Sequence, residues 1–138
     1  MIRSLFALLC VLPLRANALE SGLYRLIVMS GPHKAGQTNL DIRVLEKNGR
    51  SDSFEFNLIS TFRPKRKQND LPLKGILSRG KIIFVIPVTV KEKIYRELYV
   101  MKDQPTDGVY KGSILGVDST GKKVNSFFSL TQIMDDAR

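Results

Sequence analysis

The stretch that decides the fold is Val109-Tyr-Lys-Gly-Ser-Ile-Leu-Gly-Val-Asp118, followed by Ser119-Thr-Gly121 and then Lys122-Lys-Val-Asn-Ser-Phe-Phe-Ser-Leu-Thr-Gln-Ile133. A three-residue loop closed by Asp118 and Lys122 sets Gly116 opposite Val124, Ile114 opposite Ser126, Gly112 opposite Phe128 and Tyr110 opposite Leu130. In that register the apolar residues of both strands share one face, which is what pairing over a core requires. Gly121 is placed where such a loop needs a left-handed residue.

Working outward, the same grammar recurs. Leu71, Leu73, Gly75 and Leu77 alternate into Arg79-Gly80, and Lys81 to Val90 returns. A two-residue loop there pairs Leu77 with Ile82, Gly75 with Phe84 and Leu73 with Ile86, and in both hairpins a glycine faces a phenylalanine whose ring can cover it. Pro87 cannot donate to a ladder, so a bulge or an edge is expected beside it. Earlier, Leu40, Ile42 and Val44 alternate with Asp41 and Arg43 as a half-buried strand. Asn48-Gly49 suggests a two-residue loop, but that register would set Val44 against Ser53 and Ile42 against Glu55. A three-residue loop closed by Glu46 and Arg50 sets Ile42 against Phe54 and Leu40 against Phe56, and is preferred. The third strand is expected to run on to Phe62, and Leu23 to Ser30 forms the first. Residues 91–102 carry a helical stripe, yet they are rich in aromatic and β-branched residues and lack a capping residue, so they are assigned as strand.

The result is all-β: an antiparallel up-and-down meander of about eight strands. It closes into a small barrel, with a two-sheet sandwich as the alternative. Gly22-Leu23-Tyr24 opening the first strand, the meander, and Tyr110-Lys111-Gly112 beginning the last hairpin resemble the calycin-type barrels, the lipocalins and avidin-like proteins. Tyr24 stands where lipocalins carry Trp. The chain ends without room for the helix that lipocalins add after their eighth strand, and it has no Trp of the kind that avidins use to hold biotin. The resemblance implies a ligand- or partner-binding barrel, without implying biotin.

Residues 1–18 read as an export signal. Arg3 is followed by the apolar run Ser4 to Leu14, too short to span a bilayer, and Ala16-Asn17-Ala18 is a small-x-small cleavage pattern. Cleavage near Ala18 would send residues 19–138, one barrel domain, to the periplasm or the medium, with no transmembrane segment left. That part lacks cysteine, so disulfides and thiolate chemistry are excluded from it. It keeps 20 basic against 13 acidic side chains, a net charge of +7, which favours anionic partners. Nucleic acid is not expected of an exported chain, and no aromatic residues interleave with the basic ones as base stacking requires.

No catalytic constellation emerges. His33 is the sole histidine, in a Gly/Pro-rich loop; Glu55 and Glu97 are not brought together by the pattern. No metal-ligand spacing or phosphate-cradling loop occurs, so no metal or cofactor is expected and the chain reads as a non-enzyme. The candidate ligand-binding residues are the inward-facing Tyr24, Phe54, Phe56, Phe84, Tyr110 and Phe128, together with the basic loop Arg63, Lys65, Arg66 and Lys67. Together they suit a small apolar or amphipathic, possibly anionic, ligand in or at the mouth of the barrel. Alternatively, the interior is filled and the protein acts through its surface, as an inhibitor or immunity-type protein. Ile27, Ile83, Val85, Leu115, Val117 and Phe127 fall on the outer face of neighbouring strands, a patch expected to make a homo-oligomer.

Overall fold

A computed structural model describes residues 18–59 and 71–135. Eight strands follow one another: β1 (Gly22–Val28), β2 (Gln37–Lys47), β3 (Arg50–Ile59), β4 (Leu73–Ser78), β5 (Lys81–Val90), β6 (Lys93–Lys102), β7 (Val109–Val117) and β8 (Lys123–Asp135). Each pairs antiparallel with the next, and β8 returns to pair with β1 in a closed barrel. No helix occurs among the described residues. Closure gives every strand a paired neighbour on each side, so the sandwich is set aside.

The β7–β8 ladder has the register read from its residues, from Tyr110 opposite Leu130 to Gly116 opposite Val124. Asp118 closes its loop by accepting the Thr120 and Lys122 N–H groups on one carboxylate oxygen, at 2.8 and 3.0 Å. The β4–β5 pairing likewise sets Gly75 against Phe84 and Leu77 against Ile82. The ring that covers Gly75, however, belongs to Phe54 on the other neighbouring strand. β4 also begins at Leu73, and Leu71 is exposed. The segment 91–102 is strand: Lys91 and Glu92 form a two-residue turn and β6 runs back along β5 from Lys93. Pro87 makes no bulge. It lies opposite Arg96, while pairing on the β4 side reaches only to Phe84, so its missing N–H falls at a local edge.

The β2–β3 turn corrects the sequence reading. Asn48 and Gly49 both have positive φ (56° and 75°), the signature of a two-residue hairpin loop, and Lys47 pairs with Arg50. The register then shifts: Ser51 and Asp52 stand against Glu46 alone, and beyond this bulge Val44 faces Phe54 and Ile42 faces Phe56. One extra residue on β3 thus restores the parity that a plain two-residue loop would have lost.

The inward residues form one core. Tyr24, Phe54, Phe56, Phe84 and Phe128 are all buried, and the four phenylalanine rings form one contact network with Tyr99. Phe84 meets Phe56 edge-on at 5.2 Å and stacks on Tyr99 at 4.8 Å; Phe128 meets Tyr99 edge-on at 5.2 Å. Such offset and edge-to-face pairs are the preferred ring geometries, and they fill the middle of the barrel.

Candidate functional site at the barrel mouth

An up-and-down meander sends alternate connections to opposite ends. At one end, the mouth, lie segment 29–36, the end of β3, the start of β4, the Lys91-Glu92 turn and the Asp118–Lys122 loop. At the other, the base, lie the Asn48-Gly49 and Arg79-Gly80 turns, segment 103–108 and residues 18–21. The base is shut by Leu19, whose side chain is buried in the core. The mouth is open.

Above the aromatic plug the mouth holds a cavity of about 320 Å³. Leu26 and Val28 from β1, Leu58 from β3, Ile86 and Val88 from β5, and Ile114 and Val124 from β7 and β8 make its wall apolar, and Tyr99 lies toward its floor. These are the inward positions one or two steps beyond the plug on each strand. Alternation that buries Phe84 and Phe128 therefore also points Ile86, Val88, Ser126 and Val124 at the cavity.

Among the described residues Glu97 is the one carboxylate in that wall. Its Oε2 accepts the Val117 N–H at 3.1 Å, and Val117 C=O accepts a hydrogen bond from His33 Nε2 at 3.2 Å. The same peptide strand thus ties Glu97 from within and His33 from the loop above. His33 and its neighbours Gly36, Gln37 and Thr38 form one side of the rim. Burial, reinforced by the nearby Glu97 charge, pushes the Tyr99 phenol well above its ordinary range. The arrangement offers an apolar slot with one hydrogen-bond-accepting anion at its side. Glu55 lies elsewhere, on the outer face of β3 between Arg43 and Lys74, so the two glutamates make no acid/base pair. Among the described residues no group of His, Cys, Asp or Glu is arranged to hold a metal.

The residues singled out from the sequence divide. Tyr24, Phe54, Phe56, Phe84, Tyr110 and Phe128 do come together, at 0 to 5% exposure, but as the packed core and not as the lining of the mouth. Arg63, Lys65, Arg66 and Lys67 lie outside the described residues. Glu97, Tyr99, Ser126 and the rim histidine were not among the chosen site residues. The phase of β6 could have identified the first two, because Glu97, Tyr99 and Met101 share one face.

The outer wall carries a second hollow, an open cleft of about 530 Å³. Met29, Val100 and Phe127 form its apolar part, with Phe128 and Met101 packed beside Gly112 at its inner side. Lys81, Lys102 and Lys111 rim it. Phe127 is 62% and Leu115 49% exposed, while Ile27, Ile83 and Val85 are half-buried. Val117 does not belong to this wall: it is buried, because segment 29–36 folds over the end of β7 and fixes its carbonyl through His33. Ile76, Leu98 and Val100 extend the apolar surface instead, since Ile76, Ile83 and Val100 are successive cross-strand neighbours.

Set against protein-family models, curated proteins and solved structures, the chain matches none of them.

Proposed function

We propose that the chain is an exported, non-enzymatic binding protein that takes the apolar part of a small molecule into the mouth of its barrel. The observation that carries this reading is the cavity of about 320 Å³ above a packed aromatic floor, at the lower end of the range of about 300–1,000 Å³ usual for small-molecule sites. The Glu97 carboxylate in its wall favours a ligand that presents a hydrogen-bond donor, a hydroxyl or an ammonium, beside its apolar portion. The anionic ligand suggested by the sequence would need Arg63, Lys65, Arg66 and Lys67. Changing these four to Ser should then weaken an anionic ligand and blunt its salt dependence.

The test uses the neutral probe N-phenyl-1-naphthylamine on the purified mature protein. Saturable uptake of one molecule per barrel, abolished by Val124→Phe with unchanged thermal unfolding, is the expected result. No saturable uptake, or uptake indifferent to Val124→Phe, removes the mouth as the site.

A second reading rests on the exposed apolar wall across β5 to β8 and β1, which suits an interface. A second copy of the chain is the partner proposed, and a different exported protein is the alternative. Native mass measured against concentration decides between them: a dimer lost on Phe127→Ser supports self-association, and a monomer throughout rejects it.

A further inference from the structure

At the base of the barrel lies a carboxylate that the ligand reading leaves unused. Asp103 follows β6 directly and is only 7% exposed. Its own N–H is fixed to Gly80 C=O at 2.8 Å. Its side chain faces the segment that shuts the base: Oδ2 accepts the Ala18 N–H at 2.9 Å and Oδ1 accepts the Leu19 N–H at 3.0 Å. No Lys, Arg or His among the described residues pairs with it. The Tyr110 phenol feels the Asp103 charge together with Tyr24 and Glu20, all acids. A buried carboxylate with only neutral donors is costly, and burial pushes its proton affinity up against the two N–H bonds. Among the described residues the site has no cation.

The sequence supplies one at the same atom. The small-x-small pattern Ala16-Asn17-Ala18 marks the Ala18–Leu19 bond for cleavage. We propose that Asp103 is the receptor for the α-ammonium group created at Leu19 when that bond is cut, and that the new terminus is locked into the base of the barrel. The proposal rests on the export reading. The step is a hydrolysis by a signal peptidase: water adds across the bond, the C–N bond breaks, Ala18 leaves as a carboxylate, and the Leu19 nitrogen takes up protons to become an ammonium. That nitrogen lies 3.0 Å from Oδ1, ordinary distance for a charge-assisted hydrogen bond. Its additional protons can replace the Ala18 N–H that Oδ2 loses.

The rest of the segment is already held for this. The Leu19 side chain is 3% exposed within the core, and Glu20 C=O accepts the Tyr24 hydroxyl at 2.6 Å. Ser21 Oγ accepts the Val44 N–H at 2.9 Å. Residues 19, 20 and 21 are thus anchored one by one, and cutting before Leu19 changes only the group that faces Asp103. Burial of Leu19 is no obstacle, because a signal peptidase acts before the exported chain folds.

The test begins with the full chain exported by its host and the mature product purified. Its intact mass should begin at Leu19, and the Leu19 α-amine should react with an acetylating reagent about tenfold more slowly than in Asp103→Asn, as a rise of about one unit in the amine's pKa requires. A mass beginning elsewhere overturns both the cleavage and the receptor. A mass beginning at Leu19 with equal reactivity in both proteins overturns the receptor alone and leaves export standing. Should Asp103→Asn not fold, the pH dependence of acetylation in the unaltered mature protein decides: its α-amine pKa should lie about one unit above the ordinary range of about 7.7–8.0, and a value within or below that range rejects the proposal.

Discussion

The carboxylate of Glu97 occupies the space that a side chain on Gly116 would fill, at the next step along the β6–β7 ladder. A Cβ at that position would collide with Oε2, the atom that accepts the Val117 N–H. Gly116 is therefore what lets an acidic group lie flat in the wall of an otherwise apolar mouth.

Gly116→Ala should displace Glu97 without straining the backbone, because only the flexible end of a side chain has to move. The expected loss is one hydrogen bond, about 0.5–1.5 kcal/mol. Urea unfolding measures it, and probe uptake should change at the same time, since the anion has left its place in the wall.

Gly75→Ala meets a harder neighbour. Its Cβ would enter the ring of Phe54, which is buried and packed against Phe56 and Phe84 at 5.8 and 6.0 Å between centroids. Overpacking of this kind costs about 1–3 kcal/mol. Adding Phe54→Leu to the same chain should recover part of the loss by urea unfolding; a purely additive double variant would refute the clash.

The β5–β6 turn is built from Lys91 and Glu92, both left-handed at φ 50° and 66°. Non-glycine residues carry a cost of about 1–2 kcal/mol in that conformation. Glu92→Gly is thus expected to stabilise the barrel by about 1 kcal/mol, read as a higher melting temperature. A lower one would mean that the turn is held by its side chains.

In alkali the barrel should fail before its buried tyrosines ionise. Burial pushes the Tyr99 and Tyr110 phenols upward, the former with help from Glu97 and the latter from Tyr24, Asp103 and Glu20. A folded value above the unfolded one, about 10 for tyrosine, means stability fully present below pH 10 and lost as pH rises beyond it. Phenolate absorbance and loss of β-sheet circular dichroism should therefore rise together above about pH 10. Ionisation of all four tyrosines in a folded barrel would contradict this.

How much of this was legible depended on whether neighbours in space were neighbours in pattern. The β7–β8 and β4–β5 hairpins were readable because apolar alternation and turn chemistry agree there. Around Asn48-Gly49 they conflict, and parity alone cannot separate a longer loop from a short one followed by a bulge, since both set Ile42 against a phenylalanine. Val117 was assigned outward by alternation, yet segment 29–36 covers it through a contact between residues 84 apart in sequence. The mouth escaped for a related reason. The largest aromatic residues were natural candidates for a ligand site, but size is what makes Phe54, Phe56 and Phe84 good plugs, and the cavity is left where Val124, Ser126 and Gly116 are small.

The aromatic plug and the Leu19 segment together make the barrel a cup. Among the described residues, the ligand proposed above would enter and leave by the one opening past His33. Any tightening of the rim, such as shortening segment 29–36 or strengthening the His33–Val117 contact, raises one barrier that arrival and departure share. If it touches neither the free nor the filled state, it slows both rates by one factor and leaves their ratio unchanged. For the ligand proposed above, residence time would then be adjustable at the rim, independently of an affinity decided by the wall below it.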